Sequence, residues 1–520
     1  MSRTKTPAET QTRVIAGRGD HRHRSAKPSH HRDLRGFWRT ALALMGPLPG
    51  IIMALKIATS PFGRRDDLAA VLTGVSGDAA REQLALWLGL AFSLTVLPAV
   101  MAVAWASRRR SPWFALAGGV LSVIGFSVGF AVPDSSAAAL VAVQQALDTT
   151  KVAAISDGVS ATATATVTSV IFAVASSVGL LLLGVAQWRA GTGPRWLAAL
   201  LGLSGVAHLV PAGTALAAAA WLATGIGSVG ASIGLVRSAN DDFDLLPEAR
   251  RTAVTATSAS GRDARTVWRT LLAIARPPLA LYVAIARFLL PYDMSDAPEV
   301  IFDKLVDHPG FTMITMWIAV LLAPTCIAGV VAVGWLSRRR VPILTTIGLI
   351  LAVLGYTCLA VGNSFGELST ALVASRPEFD RATAYALGAG LELGPVSNLT
   401  GTLFVFGHLI GTTILGLALW RSRTVPSWAA LLLAFSQPVH LASVMLGSRP
   451  LDLVGWGGTA VGFAAAGWAL LQMENDDFDL PPKPMRRHAS DAQWNCSASV
   501  EPTRARVSLF GLRAELTRSK

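Results

Sequence analysis

The sequence predicts an all-α, polytopic membrane helical bundle of about twelve transmembrane helices, arranged as two parallel six-helix repeats. Of its 520 residues 52% are hydrophobic and 15% charged, and the mean hydropathy is +0.49, too apolar for a soluble protein of this length. The apolar residues fall into runs of about 20, the length that crosses a hydrocarbon core about 30 Å thick. The hexapeptide Asn-Asp-Asp-Phe-Asp-Leu at Asn240–Leu245 returns at Asn475–Leu480, each time directly after an apolar run.

Other landmarks return with it. Ser107–Arg110 matches Ser337–Arg340, Trp188-Arg189 matches Trp420-Arg421, His208 matches His440 and Trp221 matches Trp456. A period of about 230 residues is far longer than a solenoid unit and suits a duplicated domain.

In chain order, residues 1–36 are polar and rich in Arg and His, with no apolar run that would make a signal peptide, and read as a disordered basic cytoplasmic tail. The first repeat occupies 37–245. Its opening run, 37–59, holds Pro47 and Pro49, and its counterpart at 267–290 holds Pro277 and Pro278, so both helices are expected to kink. Runs at 83–106 and 112–132 are joined by Ser-Arg-Arg-Arg-Ser-Pro, a tight turn. A loop with weak helical patterning around Ala137–Leu147 is expected over 133–163, followed by runs at 164–187, 195–213 and 214–236. A polar linker, 246–266, leads to the second repeat, 267–480, and residues 481–520 read as a disordered cytoplasmic tail.

The formal charge of +13 sits in the tails and in short gaps between apolar runs, so it reads as topological and excludes a nucleic-acid partner. An N-terminus on the inside puts Arg108–Arg110, Arg189, Arg195, Arg250, Arg251, Arg338–Arg340, Arg421 and Arg423 all on the cytoplasmic side. The expected location is therefore the inner (plasma) membrane, with both termini cytoplasmic and the lipid bilayer as the main partner. Trp188, Trp196, Trp420 and Trp428 fall at the same ends, as an aromatic belt requires. Three cysteines without metal-type spacing give neither a disulfide framework nor a metal site, and no cofactor is expected.

Six spans per half is an even number, so the halves enter the membrane in one orientation. That arrangement resembles the major-facilitator transporters, whose halves are related by an axis along the membrane normal. The turns here, Ser-Arg-Arg-Arg-Ser-Pro and Ser-Arg-Arg-Arg-Val-Pro, lack the acid of that family's basic motif. In its six-span halves, kinked first helices and basic turns, the whole chain resembles uncharacterised multi-pass integral membrane proteins of high-GC bacteria. That resemblance implies no functional residues.

Candidate residues come from the polar fifth run of each half: Ser204 and His208 in one, Ser436, Gln437 and His440 in the other. His208 lies thirteen residues beyond Arg195, about 19 Å into the bilayer, where a titratable ring calls for a cavity or a partner. The competing reading is a neutral imidazole bonded to a carbonyl freed by the neighbouring proline. His408 in the tenth run is a third histidine, and paired haem ligation is a further alternative. Arg276, just before the Pro277-Pro278 kink, is the basic residue placed to bind an anion, whereas Lys56 and Arg287 are expected to snorkel. Asp452 is expected at an external edge, and the scarcity of carboxylates in the spans argues against proton coupling.

The acidic motifs, Asp241, Asp242 and Asp244 with Asp476, Asp477 and Asp479, lack the spacing of a calcium loop. They are expected to dock on the arginine turns of their own half, Arg108, Arg109 and Arg110 or Arg338, Arg339 and Arg340, with Phe243 and Phe478 reinserting into the bundle. Glycines at 118, 125, 179 and 184, and at 348, 355, 411 and 416, read as close helix contacts.

No phosphate loop or hydrolase motif occurs, so enzymatic activity is not expected. The function expected is transporter-like, binding or moving a small, lipophilic molecule of unknown identity between two pseudo-symmetric halves. The alternatives are a non-catalytic scaffold or regulatory partner, recruiting a protein through the tails, and a membrane enzyme or haem protein.

Overall fold

The computed structural model describes residues 33–60, 68–209, 214–245, 263–274, 277–293, 295–361 and 364–483, and the elements it describes are all helical. Ten helical stretches among these residues are long and apolar enough to cross a membrane, which makes this a multi-pass membrane protein. Large apolar side chains such as Leu44, Val170, Ile314 and Phe406 remain exposed on the bundle, as a lipid-facing surface requires.

The N-terminal half contains α1 (Arg35–Met45), α2 (Leu48–Thr59), α3 (Leu68–Gly77), α4 (Ala79–Ser107), α5 (Pro112–Gly129), α6 (Ser135–Gln144), α7 (Thr149–Ser160), α8 (Ala163–Ala190), α9 (Arg195–Ala207), α10 (Thr214–Arg237) and the turn α11 (Asn240–Phe243). The C-terminal half contains α12 (Ala264–Ile274), α13 (Pro277–Phe288), α14 (Pro298–Asp307), α15 (Pro309–Ser337), α16 (Pro342–Val361), α17 (Ser364–Ala374), α18 (Arg381–Leu393), α19 (Pro395–Ser422), α20 (Ser427–Met445), α21 (Arg449–Gln472) and the turn α22 (Asn475–Phe478).

The helix breaks follow the sequence. The first run parts into α1 and α2 at Gly46-Pro47, because Pro47 has no N–H to continue the ladder. Glycine lets the second piece come close: a Cβ on Gly50 would collide with the backbone of Gly225 in α10. At both arginine turns the helix ends on a Ser, and a Pro at the first position of the next helix, Pro112 or Pro342, fits where an N–H would be unsatisfied anyway.

Ten of the twelve expected spans are met among the described residues; α9 has only 13 residues, and the run over 267–290 is described as α12 and α13, with 275–276 outside the described residues. In the expected loop over 133–163 the helical patterning around Ala137–Leu147 is α6, and a second helix, α7, that was not expected follows it; the Asp134 and Asp148 carboxylates cap them by accepting from backbone N–H groups. Their residues, Leu140, Val141 and Ile155 among them, join Val71 and Leu72 of α3, Phe302 and Leu305 of α14, Leu368 and Leu372 of α17 and Leu387 of α18 in a second hydrophobic core. This core lies at the end opposite the arginine turns and draws on both halves. It is distinct from the main core along α4, α15 and their neighbours. At 29 residues each, α4 and α15 are about 43 Å long, enough to reach this cap beyond the hydrocarbon core.

The glycine contacts are close approaches of backbones. Added Cβ atoms on Gly125 and Gly179 would strike Ser176 and Ser122, so α5 and α8 pack backbone to backbone, and Gly355 and Gly411 do the same for α16 and α19.

Candidate functional site

Two polar assemblies stand out, one at each end of the bundle. At the arginine-turn end, Arg108 holds Asp479 with both carboxylate oxygens engaged, Nε to Oδ2 at 2.8 Å and Nη2 to Oδ1 at 3.0 Å. Arg338 holds Asp244 with the same two distances. Each last aspartate of the repeated motif therefore docks on the arginine turn of the other half, which corrects the expectation of docking within one half. The four side chains are between 8% and 19% exposed, so these are enclosed pairs.

The remaining contacts close the assembly. Trp105 and Trp335 meet edge to face at 5.2 Å, and each indole N–H donates 3.0 Å to the carbonyl of the motif phenylalanine in its own half, Phe243 or Phe478. The guanidinium groups of Arg108 and Arg338 lie 3.6 and 3.8 Å over those same indoles. Arg109 donates to Asp242 at 3.0 Å within its own half, Arg339 donates to the carbonyl of Asp477, and Arg110 and Arg340 donate to the carbonyls of Ala190 and Ser422. Asp241 and Asp476 bind neither arginine turn: they pair at 2.7 and 2.8 Å with Arg35 and Arg265, at the starts of α1 and α12. Burial pushes the Asp244 carboxyl up, but Arg338 and Arg339 outweigh it and hold the group well below the usual carboxylate range.

The second assembly lies in the C-terminal half toward the opposite end. His440 of α20 bonds through Nδ1 to Oδ1 of Asp452 at 2.5 Å, and Ser443 donates to the same oxygen at 3.1 Å. The other oxygen, Oδ2, accepts from Arg287 of α13. Asp452, in the first turn of α21, is thus a buried carboxylate with a partner on each oxygen, and Arg287 is paired with it. The His440 ring lies 6.0 Å from that of His408 and 5.2 Å from Trp456. His408, 2% exposed, bonds through Nδ1 to the carbonyl of Phe404, while its Nε2 has no partner among the described residues. A cavity of ≈ 20 Å³, room for about one water, lies beside Arg287, Ser443, Arg449 and Asp452.

The other candidates divide. Ser436 accepts from Thr459 at 2.8 Å, and Gln437 donates to the same threonine at 2.9 Å. Ser204 accepts from Thr224 at 2.9 Å. His208, the C-cap of α9, bonds the Thr224 hydroxyl at 3.2 Å, and its ring lies tilted 4.3 Å from that of Trp221. Around it the N-terminal half has Phe92, Phe126 and Phe172. The chemistry-bearing groups His408, His440 and Asp452 lie in the C-terminal half alone. Arg276 lies outside the described residues.

Sequence reasoning missed Thr224 and Thr459, which carry no signal beyond their shared spacing from Trp221 and Trp456. It did not foresee the burial of Asp452 or its partners Arg287 and His440. No protein-family model, curated protein or solved structure matches this chain.

Proposed function

We propose that this chain is a transporter-like membrane protein of two parallel six-helix repeats, with both termini cytoplasmic, that couples movement of a small solute to a proton bound at His440. The observation that carries this reading is the Arg287–Asp452–His440 chain, enclosed in a helical bundle next to a water-sized cavity. With neutral His440 the chain is balanced, one guanidinium against one carboxylate. A proton on His440 gives the chain two positive groups against one carboxylate, so the added charge has no partner in the chain. Arg287 sits on α13, which begins at Pro277-Pro278. Repulsion between protonated His440 and Arg287 would loosen α13 from α21, and the solute path between the halves would open by that motion.

The test is solute-dependent proton flux in vesicles carrying a trapped pH dye, with wild type against Asp452→Asn and His440→Gln across a panel of small solutes. The expected result is a flux for at least one solute that falls tenfold or more in both variants. Wild-type flux equal to that of Asp452→Asn for every solute would sink the reading.

A second reading, a scaffold without turnover, is favoured by the crossed ion pairs, by the Trp105–Trp335 contact and by the packing of α5 on α15 and of α4 on α16 between the halves. Purification in mild detergent separates the two: a stoichiometric protein partner lost on removal of the tails, with no flux, supports the scaffold.

A further inference from the structure

The N-terminal half holds a second buried group that the proposed relay does not use. Glu82, in the first turn of α4, is 0% exposed, and neither carboxylate oxygen has a hydrogen-bond partner among the described residues. Its polar neighbours are Lys56 of α2, Asp134 and Ser136 at the start of α6. α3 contributes no titratable side chain over Leu68–Gly77, and Arg81, beside Glu82 on α4, is turned to the carbonyl of Ala58 at 3.0 Å.

The charges of this cluster do not balance if Glu82 is ionised. Lys56 is already paired with Asp134, Nζ to Oδ2 at 3.3 Å, so an ionised Glu82 is the odd charge. An unpaired carboxylate out of water costs far more than a neutral acid. The hydrogen-bond inventory points the same way. The Ser136 hydroxyl spends its one hydrogen on Asp134 Oδ1 at 2.6 Å, so toward Glu82 it offers lone pairs, which complement an acid that donates and oppose a carboxylate that only accepts.

We propose that Glu82 is an exchangeable-proton site: it holds a proton in this arrangement and releases it when Lys56 swings from Asp134 to Glu82. The carried species is one proton, which goes to water; the ammonium then faces Glu82, and the odd negative charge passes from the buried Glu82 to Asp134, whose side chain is 43% exposed and keeps its bond from Ser136. Lys56 lies on α2, the piece that follows the Gly46-Pro47 break.

The test is modification of the full chain in detergent by a membrane-soluble carbodiimide, which reacts with protonated buried carboxyl groups, with the adduct located by peptide mass spectrometry. An adduct on Glu82 at neutral pH is expected, lost in Glu82→Gln and retained to higher pH in Lys56→Met, which lacks the ammonium that would replace the proton. Should Glu82→Gln not fold, the wild-type carboxylic-acid infrared band and its disappearance at high pH serve in its place. A recovered but unmodified Glu82 peptide, an adduct on Asp134 instead, or protection by sodium without dependence on pH would each overturn the proposal. None of these readouts requires transport, so the result stands or falls apart from the His440 relay.

Discussion

Asp244 closes the first acidic motif on Arg338, 94 residues further along the chain, while Asp479 closes the second on Arg108, 371 residues back. Exchanging partners in this way makes each motif a strap across the two halves. An exposed ion pair contributes about 0–1 kcal/mol, but a pair this enclosed leaves an uncompensated buried charge when one partner is removed. Asp244→Asn and Asp479→Asn should each lower unfolding stability by about 3 kcal/mol. A double-mutant cycle of Asp244→Asn with Arg338→Gln should show strong coupling, and one of Asp244→Asn with Arg108→Gln should show little. Equal coupling in the two cycles would contradict the crossed arrangement.

The pH dependence follows from the same pair. Because the Asp244 carboxyl in the folded chain is held below its unfolded value of about 3.9, its contribution is fully present above that value and is lost as pH falls through the lower, folded value. Wild type should lose stability on acidification over that window more steeply than Asp244→Asn. The exposed aspartates act as controls. Asp241 and Asp476 are 75% and 49% exposed, so Asp241→Asn and Asp476→Asn should leave the melting temperature within error in moderate salt, where screening has already weakened the pairs.

The residue types of this clasp were legible in the sequence, but the partners were not. Repetition of Asn-Asp-Asp-Phe-Asp-Leu and of Ser-Arg-Arg-Arg marks both motifs as positions with a job, and a motif after a span can reach any basic turn at the same end. The choice between Arg108 and Arg338 depends on which half lies closer in space, which no pattern within one half encodes. The same limit explains Asp452. Its sequence position puts it near a helix start, and only the approach of α13 and α20 gives it Arg287 and His440. Helix α6 showed only as weak patterning and α7 was missed, because both are short and pack in a core drawn from both halves, so their apolar pattern lacks the length that announces a span.

Orientation is a separate matter, tested with a cysteine at residue 260 in the linker. In a Cys496→Ser background, Ser260→Cys should be protected from impermeant maleimide in intact cells and react after permeabilisation, since Cys326 and Cys358 are buried. Labelling from outside in intact cells would reverse the topology.

The glycines divide by what surrounds them. A Cβ on Gly355 would collide with the backbone of Gly407 and His408, so Gly355→Ala must push α16 from α19, at a cost of about 1–3 kcal/mol, and displace His408. Gly457, inside α21, faces open space, and Gly457→Ala should instead stabilise by roughly 0.5–1 kcal/mol, since glycine is the poorer helix former. Matched thermal-unfolding measurements should give opposite signs.

Glu392 of α18 gives the last prediction, and its sign is opposite to that of Asp244. Burial and then the neighbouring Glu367 carboxyl raise the Glu392 carboxyl well above the usual range, because two carboxylates cannot both ionise cheaply at close quarters. A raised folded value contributes stability that is complete below the unfolded value of about 4.3 and declines as pH climbs through the folded one. Wild type should therefore lose stability as pH rises from mildly acidic toward alkaline. Glu392→Gln, which keeps the shape and one donor toward Glu367 while removing the charge, should flatten that decline and be the more stable chain at the alkaline end. Thermal unfolding of both chains across the range checks it, and parallel curves would show that the two carboxyl groups do not share a proton.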